Sequence, residues 1–448
     1  MPLMTHRRRH PASLAALVAV VAVATSSDAR PDAPAPLVAV EARLDRPIVL
    51  VDVASGSGAP GRSAARHAYL RLRVAARARA GERPAPLNLA IVVDRAAVRE
   101  PAVSAALDEV LGSLTPSDVA AVVEYGDVVE VRRPADGRPV AGRTPTVPTF
   151  AAEAASVAAP GASGANLFGG VAKGAAEIRK YLGSARVSHL LVVAARPPGA
   201  GPRDPRALGE LGAALARDGI GITVVDVGAR GTLALKALAG GGGGAYLPVG
   251  GNAVRGQLRE ALRAARAVRA RDVGVEIRFP GAVAPMRVLG APSAEVMGRV
   301  VRVRLGDVRL TGGGELLARL DTTLCEPGRR RIGEVHVRYF DMHEAREVAS
   351  VTPLEVTCAV GERQGAQVDF DVTASVAMAL GEDARTEARR AVARGQTEQA
   401  ALALAVALEE LRELVSGPLA GVEVLSLIDA LESEVRALRD RSAREDAE

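Results

Sequence analysis

The sequence predicts an α/β fold. A mostly parallel central sheet with helices on both faces is followed by an antiparallel β-sandwich-like domain and a C-terminal helical hairpin. Three observations carry this. Residues 86–99 read PLNLAIVVDRAAVR, where 87–93 is a near-continuous apolar run of β-formers, short enough for a strand buried on both faces. From Arg271 the period changes to two: Val273, Val275, Ile277 and Phe279 alternate, as do Val301, Val303 and Leu305, and Val335, Val337 and Tyr339. Near the C-terminal end, Leu404, Leu408, Leu411 and Leu414 and then Leu425, Ile428, Leu431, Val435 and Leu438 form two helical stripes broken by Gly417-Pro418.

Taken in order, residues 1–29 carry Arg7–Arg9, an apolar run over 12–24 and small residues after it. That is the pattern of a secretory signal peptide, because a spanning helix needs about 20 apolar residues; an uncleaved short anchor is the alternative. Residues 30–85 hold a Pro/Ala linker and strands over 37–53 and 68–76, read as part of the β domain. The parallel unit occupies 86–270. After the first strand, Val103, Leu107, Val110, Leu111 and Leu114 mark a helix with Pro101 in its first turn. Strands follow over 119–125 and 128–132, then a loop over 142–148 and a short helix over 150–159. A helix over 166–182 has Asn166 as its N-cap. Strands over 187–194 and 220–227 alternate with helices over 204–218 and 232–239, and 252–269 closes the unit. The five glycines 240–244 lack the following Lys and Ser/Thr of a phosphate cradle and read as a loop. The β domain takes 271–372 and the helical region 373–448.

The parallel unit resembles the von Willebrand factor A (VWA) domain of bacterial exported proteins, which is Rossmann-like. The family's strand ending in Asp-x-Ser-x-Ser appears as Asp94-Arg95-Ala96-Ala97-Val98. Its L-x-P-x-D turn appears as Leu114-Thr115-Pro116-Ser117-Asp118, and its V-x-x-Y-x-D strand as Val122-Val123-Glu124-Tyr125-Gly126-Asp127. A G-T-N-L loop appears as Gly164-Ala165-Asn166-Leu167, and the L-L-T-D-G strand end as Val192-Val193-Ala194-Ala195-Arg196.

The resemblance implies a metal-ion-dependent adhesion site (MIDAS) in which Asp, two Ser, Thr and Asp hold Mg²⁺ and a partner supplies an acidic oxygen. Here those positions are Asp94, Ala96, Val98, Ala165 and Ala195. A hard cation needs several oxygens, and four of the five are gone. The site is degenerate and no metal or other cofactor is expected. Asp94 has two ordinary roles open to it: capping the next helix, or pairing with Arg95, Arg99 or Arg196. Asp94, Arg95, Asn166 and Arg196 make up a possible binding edge.

Enzyme signals are poor. After the signal segment the histidines are His67, His189, His336 and His343, with no i, i+4 pair and hence no HExxH face. His336, Asp341 and His343 sit around one hairpin, a weak metal candidate. No G-x-S-x-G elbow appears. Cys325 and Cys358 are the two cysteines. An even pair in an exported chain predicts one disulfide, with two unrelated buried thiols as the alternative.

The chain has 448 residues and a net charge of +5; loss of residues 1–29 removes three Arg and one Asp and leaves +3. That mild balance, with only 2% aromatics and no Trp, predicts no nucleic-acid partner. The expectation is an exported, periplasmic or extracellular, non-enzymatic protein that binds another protein without metal. The alternative is a structural or assembly factor of the cell envelope acting through the β domain and the C-terminal helices.

Overall fold

The computed structural model describes residues 36–46, 48–51, 67–78, 81, 84–136, 164–183, 185–228, 231–250, 253–279, 281, 283–291, 294–310, 312–322, 326–360, 368–414 and 421–445. The signal segment 1–29 and the expected loop and helix over 142–159 lie outside them.

The parallel unit opens with β4, Leu87–Asp94, whose eight residues are all buried. It is followed by α1, Arg95–Val98, and α2, Pro101–Gly112, with Pro101 at the start of α2. Then come β5 (Val119–Tyr125), β6 (Val129–Arg133) and α3 (Leu167–Arg179). β7 (Val187–Ala194), α4 (Pro205–Arg217), β8 (Gly221–Asp226), α5 (Leu233–Gly241), β9 (Ala245–Pro248) and α6 (Val254–Arg266) complete the unit. The sheet order is β6-β5-β4-β7-β8-β9, with only β6 antiparallel.

Alternate side chains of β4 point into two cores. Leu87, Leu89, Ile91 and Val93 meet α1, α2 and α6, whereas Ala90 and Val92 meet α3, α4 and α5. The chain therefore leaves β4 toward one face and β7 toward the other. Between their carboxyl ends lies the topological switch point, where open α/β sheets place their ligand crevice.

The five glycines do more than loop. Gly240 and Gly241 end α5, and a Cβ on Gly241 would stand 2.1 Å from the Gly209 carbonyl oxygen of α4. On Gly244 a Cβ would stand 2.1 Å from the carbonyl oxygen of Ile222 in β8. Their lack of side chains lets α4, α5 and β8 touch backbone to backbone.

The β domain is a sandwich assembled from both sides of the parallel unit. β1 (Val38–Leu44), β3 (His67–Ala76), β14 (Gly313–Asp321) and β11 (Ala284–Leu289) form one sheet in the order β1-β3-β14-β11. β12 (Glu295–Met297), β13 (Val300–Arg309), β10 (Val268–Arg278), β15 (Gly328–Asp341), β16 (Arg346–Val360) and β2 (Ile48–Val51) form the other, in that order. Leu72, Val74, Ile277, Phe279, Val335 and Val337 are among the side chains of the core that the two sheets share. The last described strand runs to Val360, and Phe370–Val372, read from sequence as the end of the sheet, form the first turn of a helix. Among the described residues the tail holds the two expected helices, α8 (Thr397–Leu414) and α9 (Val422–Glu445), packed together, and one more before them, α7 (Phe370–Ala393). The stripe of α7 is mostly alanine, with Ala377, Ala384, Ala388 and Ala391 buried beside a single leucine, Leu380, where the other two carry more. Cys358 is buried on β16 and disulfide-bonded; Cys325, its expected partner, lies outside the described residues.

The sandwich joins the parallel unit at the amino edge of its sheet. Arg271 Nη1 donates to the Arg186 carbonyl at 2.7 Å. Asp118, from the Leu114–Asp118 turn, is buried and accepts from the Leu87 amide at 2.7 Å, the Thr115 amide at 2.6 Å and Arg266 Nη2 at 2.6 Å. One carboxylate thus ties the start of β4, the turn before β5 and the end of α6.

Two outcomes follow from this packing. Asp118→Ala strips a buried charge pair and should cost about 3–5 kcal/mol, read as a lower urea midpoint; a loss under 1 kcal/mol would refute the tie. His189, fully buried on β7 beside Thr223 Oγ1 at 3.1 Å, has its pKa pushed down to about 4 by burial and then by Arg309. An unfolded His titrates near 6.5, so between pH 6.5 and 4 the unfolded chain binds the extra proton and stability falls as pH falls. Relative to His189→Asn, the natural chain should lose about 3 kcal/mol over that window. Equal pH profiles from denaturant titration would contradict this. Asp45 and Asp307, each raised by burial to about 6, titrate in both proteins and cancel in the comparison.

Candidate functional site

Asp94 is the last residue of β4 and its side chain is wholly buried. An apolar parallel strand thereby delivers a carboxylate to the switch point. Both ordinary roles are realised at once. Asp94 Oδ1 caps α1 by accepting from the Ala96 amide at 2.9 Å. Arg196, two residues past β7, donates its backbone N–H to Oδ2 at 3.1 Å, and its Nε lies 3.2 Å from both oxygens. Arg196 Nη2 reaches Oδ1 at 2.8 Å. The hydrogen bond to Asp94 holds the Arg196 pKa above its ordinary value.

Arg95, the sequence neighbour, turns elsewhere. It bridges Glu130 at 3.0 Å and the buried Glu124 at 3.7 Å, and Arg132 also reaches Glu124 at 3.0 Å. Asn166 caps α3 through Oδ1, which accepts from the Gly169 amide at 2.9 Å, and its own amide donates to the Gly126 carbonyl at 2.9 Å. Of the four residues proposed as a binding edge, Asp94 and Arg196 form one unit; Arg95 and Asn166 serve the neighbouring loops.

The loops around the pair are laced by their backbones. Ala165 makes a parallel bridge with Pro198, and its carbonyl accepts from the Gly199 and Ala200 amides at 3.1 and 3.3 Å. A Cβ on Gly164 would stand 2.2 Å from the Cα of Gly199, so these segments meet only because both are glycine.

The residues present do not fit a divalent ion. Every oxygen of Asp94 is engaged by N–H groups, and a guanidinium stands where a second cation would be repelled. Val98 is fully buried in the apolar cluster with Leu87, Val103 and Leu107. Ala165 is buried with Tyr125 and Leu167, and Ala195 packs against the first of these clusters. At the other candidate, Asp341 Oδ1 accepts the His343 and Glu344 amides of its turn, while His336 Nε2 meets Glu334 at 3.0 Å. Among the described residues no three His, Cys, Asp or Glu converge on one point.

Sequence reasoning missed several neighbours. Tyr125 is fully buried, its hydroxyl without a hydrogen-bond partner. Burial and then the Asp94 charge push its pKa well up. Asp226, at the end of β8, accepts from Tyr246 Oη at 2.7 Å and the Gly231 amide at 3.2 Å. Val128 and Leu233 are 58% and 73% exposed, and they are the only large apolar side chains so exposed among the described residues of the parallel unit. Both stand at the carboxyl edge, in the β5–β6 turn and at the start of α5. The Val-x-x-Tyr-Gly-Asp motif flagged Tyr125; nothing in the sequence flags exposure.

The chain is similar to a solved von Willebrand factor type A protein from Catenulispora acidiphila, with 14% identity and a TM-score of 0.51 over 89% of each chain. It is also similar to the human COPII-coat protein Sec24c, with 12% identity and a TM-score of 0.51 over 79% of this chain and 55% of that one. No family model matches the sequence, and no curated protein does. At these identities the likeness shows the fold, which is the VWA fold with a β-sandwich and helices added.

If Arg196 occupies the cation's place, restoring oxygen ligands alone will not restore a metal site. The variant Ala96→Ser/Val98→Ser/Ala165→Thr/Ala195→Asp should melt at one temperature in Mg²⁺ and in chelator. Adding Arg196→Gly should open a Mg²⁺-dependent gain of about 2.7 kcal/mol at a hundredfold excess over the dissociation constant. A Mg²⁺ response in the fourfold variant would show that the guanidinium does not hold that place.

Proposed function

We propose that this VWA-fold chain is an exported, non-enzymatic protein that binds another protein through the carboxyl edge of its parallel sheet, without a metal ion. The observation that carries the reading is the pairing of a closed crevice with an exposed apolar rim. Asp94 and Arg196 bridge the switch point where a small substrate would otherwise enter. Val128 and Leu233 stand exposed on either side of it. Among the described residues of the parallel unit these are the only exposed large apolar side chains, and both lie at this edge. The sandwich is attached at the opposite edge through Arg271 and Arg186, so its described residues do not cover this edge. Export rests on the residues 1–29 alone, and no described helix is long and apolar enough to cross a membrane.

One observation favours the second reading, an assembly role for the C-terminal helices. Leu402 and Val406, one turn apart on α8, are 62% and 59% exposed.

Site-specific photo-crosslinking in the presence of chelator separates the two. A photoreactive residue at Val128 or Leu233 should give one protein adduct in the envelope fraction of the source organism, and one at Ser117 on the amino edge should give none. Adducts from Leu402 and Val406 alone would transfer the function to the helices.

A further inference from the structure

Arg196 is only partly spent on Asp94. A guanidinium carries five N–H donors, and the contacts with Asp94 use Nε and Nη2. Nη1 has no acceptor among the described residues and is not among the buried, unpartnered atoms. The Asp94 side chain is fully buried while that of Arg196 is 25% exposed. Solvent therefore meets the cationic end of a pair whose anionic end is sealed. The neighbouring Arg95 and Arg132 are taken by Glu124 and Glu130. The nearby acid, Asp127, lies in the exposed β5–β6 turn and acts on Arg196 through its charge alone.

We infer that Arg196 is the resident cation of this edge: Nη1 receives a carboxylate from the partner protein, while Val128 and Leu233 seat apolar residues on either side of it. This rests on the edge-binding reading above and adds the partner's chemistry. Asp94 holds the guanidinium in one orientation, so little side-chain freedom remains to be lost when a carboxylate docks. The spacing fixes the partner's pattern. Val128 follows β5 and Leu233 follows β8, three strand spacings apart, or about 14 Å. An extended segment rises about 3.3 Å per residue. The fitting segment carries an Asp or Glu with apolar residues about two positions before and after it.

The experiment selects peptides from a random library displayed on phage, using the full-length protein in chelator, and then measures affinities of the selected peptide and its Glu→Gln or Asp→Asn analogue. The expected binders have the apolar-x-acid-x-apolar pattern. The amide analogue and Arg196→Gln should each weaken binding about 10- to 100-fold, and Arg196→Lys should retain part of it. Because Arg196→Gln leaves Asp94 buried and unpaired, the neutral double variant Asp94→Asn/Arg196→Gln is measured beside it and should show the same loss while folded. Peptides that depend on Val128 and Leu233, tested as Ser variants, but carry no acid and ignore Arg196 would overturn this inference and leave the edge-binding reading standing. Peptides indifferent to Val128, Leu233 and Arg196 alike, or no enriched peptides at all, would overturn both.

Discussion

Asp94 ends a strand whose eight residues are all buried, and a carboxylate there has few ways to remain charged. Burial of an unpaired ion costs several kcal/mol, so the fold must bring either a cation or a full set of donors to that point. It brings both. The Ala96 and Arg196 amides donate, and the Arg196 guanidinium lies along the two oxygens. The pairing is possible because β4 and β7 are neighbours in the sheet, and it fixes the relative positions of the loops that leave them. Ala165, Pro198 and Gly199 then join the segment before α3 to the one after β7 through backbone contacts.

The two edges of the parallel sheet divide the work. At the amino edge Asp118 gathers β4, the turn before β5 and α6, and Arg271 of the sandwich reaches Arg186. The Asp118 contacts hold the parallel unit together, and the part-buried Arg271–Arg186 hydrogen bond ties it to the sandwich. Among the described residues the carboxyl edge carries no such join. Its apolar residues face solvent beside an ion pair whose guanidinium end alone is partly exposed.

The helices at the end of the chain are held on the outer face of the smaller sandwich sheet by a mixed contact. Tyr69, Leu289 and Leu317 supply the apolar part. Glu410 of α8 accepts from Tyr69 Oη at 2.7 Å and from Arg319 Nη1 at 2.7 Å. The Asp369 amide, at the start of α7, donates to the Asp45 carbonyl at 2.8 Å. Asp45 also accepts the Tyr69 amide, so the crossing between the two sandwich sheets and the docking of the helices share one buried residue.

Local chemistry made much of this legible. The mostly apolar runs of β4, β5 and β7 read as central strands, because they are shorter than a helix and rich in β-branched residues. Asn166 at a helix start and Pro101 and Pro205 in first turns are decided by backbone donors, so their places follow from sequence alone. The loss of oxygen at Ala96, Val98, Ala165 and Ala195 is likewise a statement about residue type. The first of the C-terminal helices escaped because its buried face is mostly alanine, with one leucine, Leu380, in place of the stripe that periodicity detects. What only the tertiary structure decided is which of three arginines neutralises Asp94. Arg95 and Arg99 are near in sequence, yet the pairing goes to Arg196, 102 residues away, because sheet order sets which strand ends meet and hydrophobic pattern does not encode sheet order. The exposure of Val128 and Leu233 has the same origin: side-chain type is written in the chain, but whether another element covers it depends on where every other element has packed.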